Sequence, residues 1–236
     1  MIINITEQTF GGAVRNGDLI AVCNVVEYLR KQIKPEVKLH MMPGSINQAD
    51  YCQKFYDFLL KQTNYFSATP GEETLGWKKV NLWDFREISG DLVVIPNDLP
   101  MSKKIVIFPV FDAPYNVYRN WPMPLFVDIL NKYDTEEYKD YEKIICSKEV
   151  PSGVGIGGYE HSHDFMQNIY HIMTAEIFVG GDTGTTHFAF ALDRGPKSLK
   201  YYNSGRGLVH TLPFYLMKGK GENNGYWLNF ENTNWG

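Results

Sequence analysis

Short apolar runs recur along this chain, each closed by glycine, proline or asparagine and followed by loop signals and helical spacing, and this order limits what the chain can fold into. Ile2 to Ile5 reads as a first strand. It leads through Gly11-Gly12 to a helix over Leu19 to Lys31, where Ile20, Val22, Val25, Val26 and Leu29 recur at helical spacing. Pro35 stops that helix, and Val37 to Met42 forms the next strand, closed by Pro43-Gly44. Residues 48–62 predict a second helix with Tyr51, Phe55, Phe58 and Leu59 on one face, and Leu92 to Ile95 a strand buried on both faces. After Pro96-Asn97-Asp98-Leu99-Pro100, a fresh strand runs from Lys104 to Pro109, a helix from Pro122 to Tyr133, and further strands at Lys143–Cys146 and Glu176–Gly181. Strand, loop and helix in repeated order predict an α/β fold of parallel sheets with helices on both faces. The boundary at Pro96–Pro100 divides it into an amino-terminal domain, 1–97, and a carboxy-terminal domain, 98–236, whose tail after Lys218 caps the whole. Two such sheets imply a cleft, and ligands of open α/β sheets sit beyond the carboxyl ends of the strands.

The 236 residues suffice for two small domains, and 44% hydrophobic with 21% charged residues is ordinary globular composition. A net charge of −4 gives no global pull toward polyanions. Cys23, Cys52 and Cys146 are odd in number and widely spaced, which predicts free thiols in a reducing compartment and no CxxC zinc site. The start, Met1-Ile2-Ile3-Asn4-Ile5-Thr6-Glu7, has neither the basic segment nor the apolar run of a signal peptide. Apolar stretches such as Ile105 to Phe111 fall far short of the ~20 residues that span a bilayer. A cytoplasmic protein is expected.

The segment with most chemistry is Val179-Gly180-Gly181-Asp182-Thr183-Gly184-Thr185-Thr186-His187. An apolar strand ends in two glycines, and a helix begins inside a hydroxyl-rich loop. Backbone N–H groups, threonine hydroxyls and the positive end of a helix dipole then converge, as a diphosphate requires. An ordinary N-cap needs only one such residue. His161-Ser162-His163-Asp164 offers two imidazoles but no third or fourth ligand, so no metal is expected. Tyr201 to Gly207 reads as a loop bearing Tyr201, Tyr202 and Arg206.

Asp182-Thr183-Gly184 with His187 and Ala189 resembles the D-[ST]-G-x-x-H-x-A signature of glycosyltransferase family 9, the heptosyltransferase-like enzymes of GT-B fold. Gly17-Asp18 resembles that family's amino-terminal G-D motif, Arg119-Asn120-Trp121-Pro122 its K-x-W-P segment with Arg for Lys, and Gly157-Gly158 its glycine pair. The chain is shorter than typical members, chiefly in its amino-terminal half. The resemblance is carried by residues 104–207. It implies two compact Rossmann-like domains and a metal-independent, inverting transfer of sugar from a nucleotide-diphosphate sugar, with no cofactor beyond that co-substrate. Asp18 would be the catalytic base. Arg119, Gly157, Gly158, Gly181, Asp182, Thr183, Gly184, Thr185, Thr186 and His187 would hold the donor.

On the acceptor side the residues suggest Arg15, Tyr201, Tyr202 and Arg206. The acceptor is either a glycan core or hydroxymethylated cytosine in DNA. The latter would suit a phage enzyme working in its host's cytoplasm, where the tyrosines could stack on a flipped base and Lys197, Lys200, Arg206, Lys218 and Lys220 could meet phosphates. A third possibility is a GT-B-like protein that binds or isomerises nucleotide-sugars without transfer.

Overall fold

The computed structural model describes residues 1–75, 94–111, 119–202 and 222–223. Contacts gather the chain into two compact units, Met1–Asp98 with Ala191–Arg194, and Leu99–Phe190 with Gly195–Gly236. Both contain parallel sheet, as the strand–loop–helix order predicts.

In the first unit β1 (Ile2–Ile5) lies between β2 (Lys38–Met41) and β3 (Glu73–Thr74), parallel to both. Parallel neighbours need a crossover, and α1 (Asn16–Gln32) provides it between β1 and β2. Leu19, Val22, Cys23, Val25 and Val26 of α1 are fully buried. The helix starts three residues before the Leu19 start that apolar spacing indicates. Asn16-Gly17-Asp18 has no large apolar side chain to reveal that turn, and the Asp18 Oδ2 carboxylate oxygen accepts the Arg15 backbone N–H at 3.0 Å. In α2 (Asp50–Gln62) the buried stripe is Cys52, Phe55, Tyr56 and Leu59. Tyr51, expected on that face, is instead 46% exposed, because the face is set one residue further along.

Leu92 and Val93 lie outside the described residues. Of the strand expected there, Ile95 is fully buried in a parallel bridge with Leu192, whereas Val94 is exposed, so at this point only one face is covered. Asn97, also fully buried, ties the same segment to Asp193 through its backbone N–H. Cys23, Cys52 and Cys146 are buried free thiols. Burial pushes the Cys23 and Cys146 thiols far above the usual range, so neither is poised as a nucleophile.

The second unit is a parallel sheet in the order β6 (Glu160–Ser162), β5 (Glu142–Cys146), β4 (Ser102–Phe108), β7 (Ala175–Gly180), β8 (Ser198–Tyr201), β9 (Glu222–Asn223). From β4 the chain passes through α3 (Met123–Tyr133) to β5 on one side. Through α4 (Phe165–Thr174) it crosses back to β7 on the other. The order therefore reverses between β4 and β7, and such a switch point opens a crevice at the carboxyl ends of the strands. Ile107 of β4 is aligned with Ile145 and Val179, and this layer packs under Leu125, Phe126 and Ile129 of α3. Among the described residues no helix is long and apolar enough to cross a membrane.

Strands β6 and β8 differ from expectation. Glu160–Ser162 is a short edge strand whose polar residues carry no apolar alternation. Ser198–Tyr201 is a strand where a loop was expected to begin at Tyr201, and the Tyr201 ring is fully buried. Tyr201 is therefore a core residue with no face to offer an acceptor.

Gly71 marks the tightest backbone approach in the first unit. The Asn4 side chain donates to the Gly71 carbonyl and accepts its N–H, both at 2.8 Å, and a Cβ on Gly71 would stand 1.9 Å from the Ile2 carbonyl oxygen. Gly71→Ala is expected to lower unfolding stability by about 1–3 kcal/mol, the usual range for overpacking. Urea denaturation followed by far-ultraviolet circular dichroism measures it, and an unchanged midpoint would contradict the approach.

Candidate functional site

The chemistry of the second unit collects at the switch point. β7 ends at Gly180, and the Gly181 N–H donates to the Phe108 carbonyl at the end of β4. A Cβ on Gly180 would come within 2.5 Å of Thr186 Oγ1 and 2.6 Å of the Phe178 ring, and one on Gly181 would meet Trp121 Nε1 at 2.7 Å. Both glycines are thus required by close packing. The chain then turns through Asp182 and Thr183 into α5 (Gly184–Ala191).

The threonines divide by role. Thr186 Oγ1 donates to the Gly181 carbonyl, and the Thr183 hydroxyl lies 2.8 Å from that of Thr185 and 3.2 Å from that of Thr186. Thr185 and Thr186 are buried, so their hydroxyls knit the turn together. Thr183 and Gly184 keep surface. The first N–H groups of a helix have no acceptor within it, which puts the Gly184 and Thr185 amides at the start of α5 in that position.

Asp182 lies beneath this turn and is 5% exposed. Its Oδ2 is 2.8 Å from Arg119 Nε, and its Oδ1 4.0 Å from His187 Nε2. Arg119 comes from the segment after β4 and Asp182 from the end of β7, so the pair straddles the switch point. The Nε and Oδ2 atoms are close but off axis, and among the described residues neither completes a hydrogen bond. Burial pushes the Asp182 carboxyl up to about 6, against the opposing pull of Arg119. Burial wins because the Arg119 side chain is 40% exposed and its charge remains largely solvated. The guanidinium fork keeps that exposed flank for a second anion.

Trp121, part of the Arg119–Pro122 segment but not singled out from sequence as a site residue, organises the edge. Its backbone N–H donates to the Val110 carbonyl at 2.7 Å, and its indole N–H to the Tyr202 carbonyl at 3.2 Å. Its ring meets Tyr202 edge-on, centroids 5.8 Å apart. Its place beside Pro122, two residues after Arg119, was the available signal.

Not every expected residue joins this cluster. Gly158 has φ of 80° and lies two residues before Glu160, the first residue of β6, with Asp134 Oδ1 3.7 Å from the place of a Cβ. Asp134 follows the end of α3 and pairs with Lys143 near the start of β5. Gly157-Gly158 is therefore a turn, left-handed at Gly158, at the amino-terminal end of β6, opposite the Asp182 turn, and the structure does not bring it to the donor cluster. Arg15 and Asp18 belong to the first unit, at the start of α1. Tyr202 is half-buried against Trp121, and Arg206, Lys218 and Lys220 lie outside the described residues. Lys197 is paired with Glu176 at 2.9 Å. His161 Nε2 contacts the Ser147 carbonyl at 2.8 Å, and among the described residues no group of three or more His, Cys, Asp or Glu side chains could hold a metal.

No family model matches the sequence, and no curated protein matches it. Among solved structures, the heptosyltransferase WaaC of E. coli, solved with ADP, aligns over 87% of this chain and 88% of its own at a TM-score of 0.43 and 10% identity. A likeness of that degree assigns neither family nor activity.

Asp182 gives the site a pH signature. Its folded carboxyl lies above the ordinary value of 3.8, so the stability it contributes is full below about pH 4 and is lost as pH rises through about 6. Relative to Asp182→Asn, the wild-type chain should lose about 1–3 kcal/mol between pH 4 and pH 7. Urea unfolding of both proteins across that range measures it, and curves that stay parallel would show that the carboxyl is not desolvated.

Proposed function

We propose that the chain is a nucleotide-sugar-dependent glycosyltransferase, with the donor held by the carboxy-terminal domain, 98–236, and the acceptor by the amino-terminal domain, 1–97. The observation that carries the reading is the exposed guanidinium flank of Arg119, held over buried Asp182 beside the first turn of α5. A fixed cation, the amides at the helix start and the helix dipole suit a diphosphate.

The reaction is a displacement. The acceptor oxygen forms a bond to the anomeric carbon as the bond from that carbon to the diphosphate oxygen breaks. The electron pair leaves with the diphosphate, whose charge Arg119 and the start of α5 stabilise. Asp18 takes the acceptor's proton as general base. One base and one stabilised leaving group suffice for direct displacement with inversion, and no metal enters the scheme. His187, within reach of Asp182, belongs to the same donor site. Tyr202, Arg15 and Arg206 remain assigned to the acceptor.

Tyr201, fully buried in the core, cannot stack on a flipped DNA base, which favours the other acceptor class. A sugar hydroxyl of a glycan core is the acceptor we carry forward.

Release of nucleoside diphosphate from UDP-, ADP- and GDP-linked sugars, with lipopolysaccharide core, with hydroxymethylcytosine DNA and with no acceptor, tests the reading. Wild type should release diphosphate only with the glycan acceptor. Asp18→Asn should keep donor affinity and lose roughly 10²–10⁴ in turnover, as loss of a general base does. Arg119→Ala should weaken donor binding about tenfold or more, the scale of a charge-assisted hydrogen bond. Undiminished turnover in Asp18→Asn would exclude that residue as the base. Donor binding without release under any condition would make the chain a binding protein.

A further inference from the structure

We propose that Trp121 is a positioning residue that sets where Arg119 meets Asp182, so that anion affinity depends on an indole that touches no ligand. The inference rests on the donor-site reading and deepens it. Three strand ends converge on this side chain. The Trp121 backbone N–H is fixed to Val110 beyond β4, and its indole N–H to the Tyr202 carbonyl beyond β8. The Tyr202 N–H in turn donates to the Gly180 carbonyl at the end of β7, at 2.9 Å. Gly181 lies so close against the indole that a Cβ there would be 2.7 Å from Nε1. Arg119 is two residues before Trp121, and Asp182 is the residue after Gly181. The indole thus fixes both anchor points of the 2.8 Å Arg119–Asp182 contact.

Tryptophan is suited to this because it combines a broad apolar plane with a single directed N–H donor. The plane fills the space that Gly181 leaves open, and the donor selects one register against Tyr202. At 3% exposure the indole has no surface for a nucleotide, so any effect on binding passes through Arg119 and Asp182. Phenylalanine keeps most of the packing and removes the N–H. Alanine at position 181 keeps the N–H but displaces it. The two substitutions attack one device from opposite sides.

The experiment has two readouts. First, the carboxyl carbon of Asp182 is titrated by nuclear magnetic resonance in wild type, Trp121→Phe and Gly181→Ala, with Asp182→Asn identifying the resonance. Arg119 lowers the Asp182 carboxyl, so its withdrawal should move the midpoint above the wild-type value of about 6 in both variants. Second, ADP, UDP and GDP are titrated calorimetrically into the same proteins and the Trp121→Phe/Gly181→Ala double variant. Whichever diphosphate wild type binds should bind each single variant about tenfold more weakly, and the double variant no more weakly than the worse single one. An unmoved midpoint in Trp121→Phe, or losses that add in the double variant, would overturn the positioning role. A shifted midpoint with no diphosphate bound by wild type would uphold the positioning of Arg119 and overturn the donor-site reading. Where a variant fails to fold, Trp121→Tyr takes its place, which keeps a ring but not the indole donor and must give the same midpoint shift.

Discussion

The absence of side chains at Gly180 and Gly181 governs the carboxyl edge of the second sheet. Because Gly180 has no Cβ, Thr186 and the Phe178 ring can close on the strand end, and because Gly181 has none, the Trp121 indole can lie against the turn. These contacts bring the segment after β4 and the segment after β7 together at the point where the strand order reverses. A side chain at Gly181 would press on Val110 and Trp121 and part the two segments that carry Arg119 and Asp182, whereas one at Gly180 would push Thr186 and Phe178 off the strand end.

The electrostatics follow from that packing. An aspartate fixed beneath a tight turn loses water, and one half-solvated arginine does not restore it, so the carboxyl holds its proton well above the ordinary carboxylate range, up to about pH 6. The same arginine, incompletely hydrogen-bonded to its partner, faces outward with charge to share. An anion arriving at the start of α5 meets a cation whose direction is already set, and it pays little to organise the site.

Much of the fold was legible because parallel sheets bury central strands on both faces and so write them as apolar runs. β1 is matched residue for residue, and β4, β5, β7 and α3 to within two residues at each end. Illegible elements lacked that signal. β6 is polar and at an edge, β3 is two exposed residues, and the first turn of α1 is Asn16-Gly17-Asp18. The site was legible as a motif and less so as a division of labour. Sequence showed threonines in a row, but not that Thr185 and Thr186 turn inward while Thr183 and Gly184 keep surface. It showed Gly157-Gly158 as a second glycine pair, but only topology places that pair at the other end of the strands. Trp121 was visible beside Arg119, yet its reach to Tyr202, 81 positions away, is long-range packing that no local spacing encodes.

The central claim is that Arg119 and the start of α5 form an anion site. A crystal structure with ADP, UDP or GDP bound tests it most directly. The account predicts the diphosphate at the Thr183–Gly184 turn, with Arg119 within hydrogen-bonding distance of its oxygens. A diphosphate bound elsewhere, or held without Arg119, would contradict it.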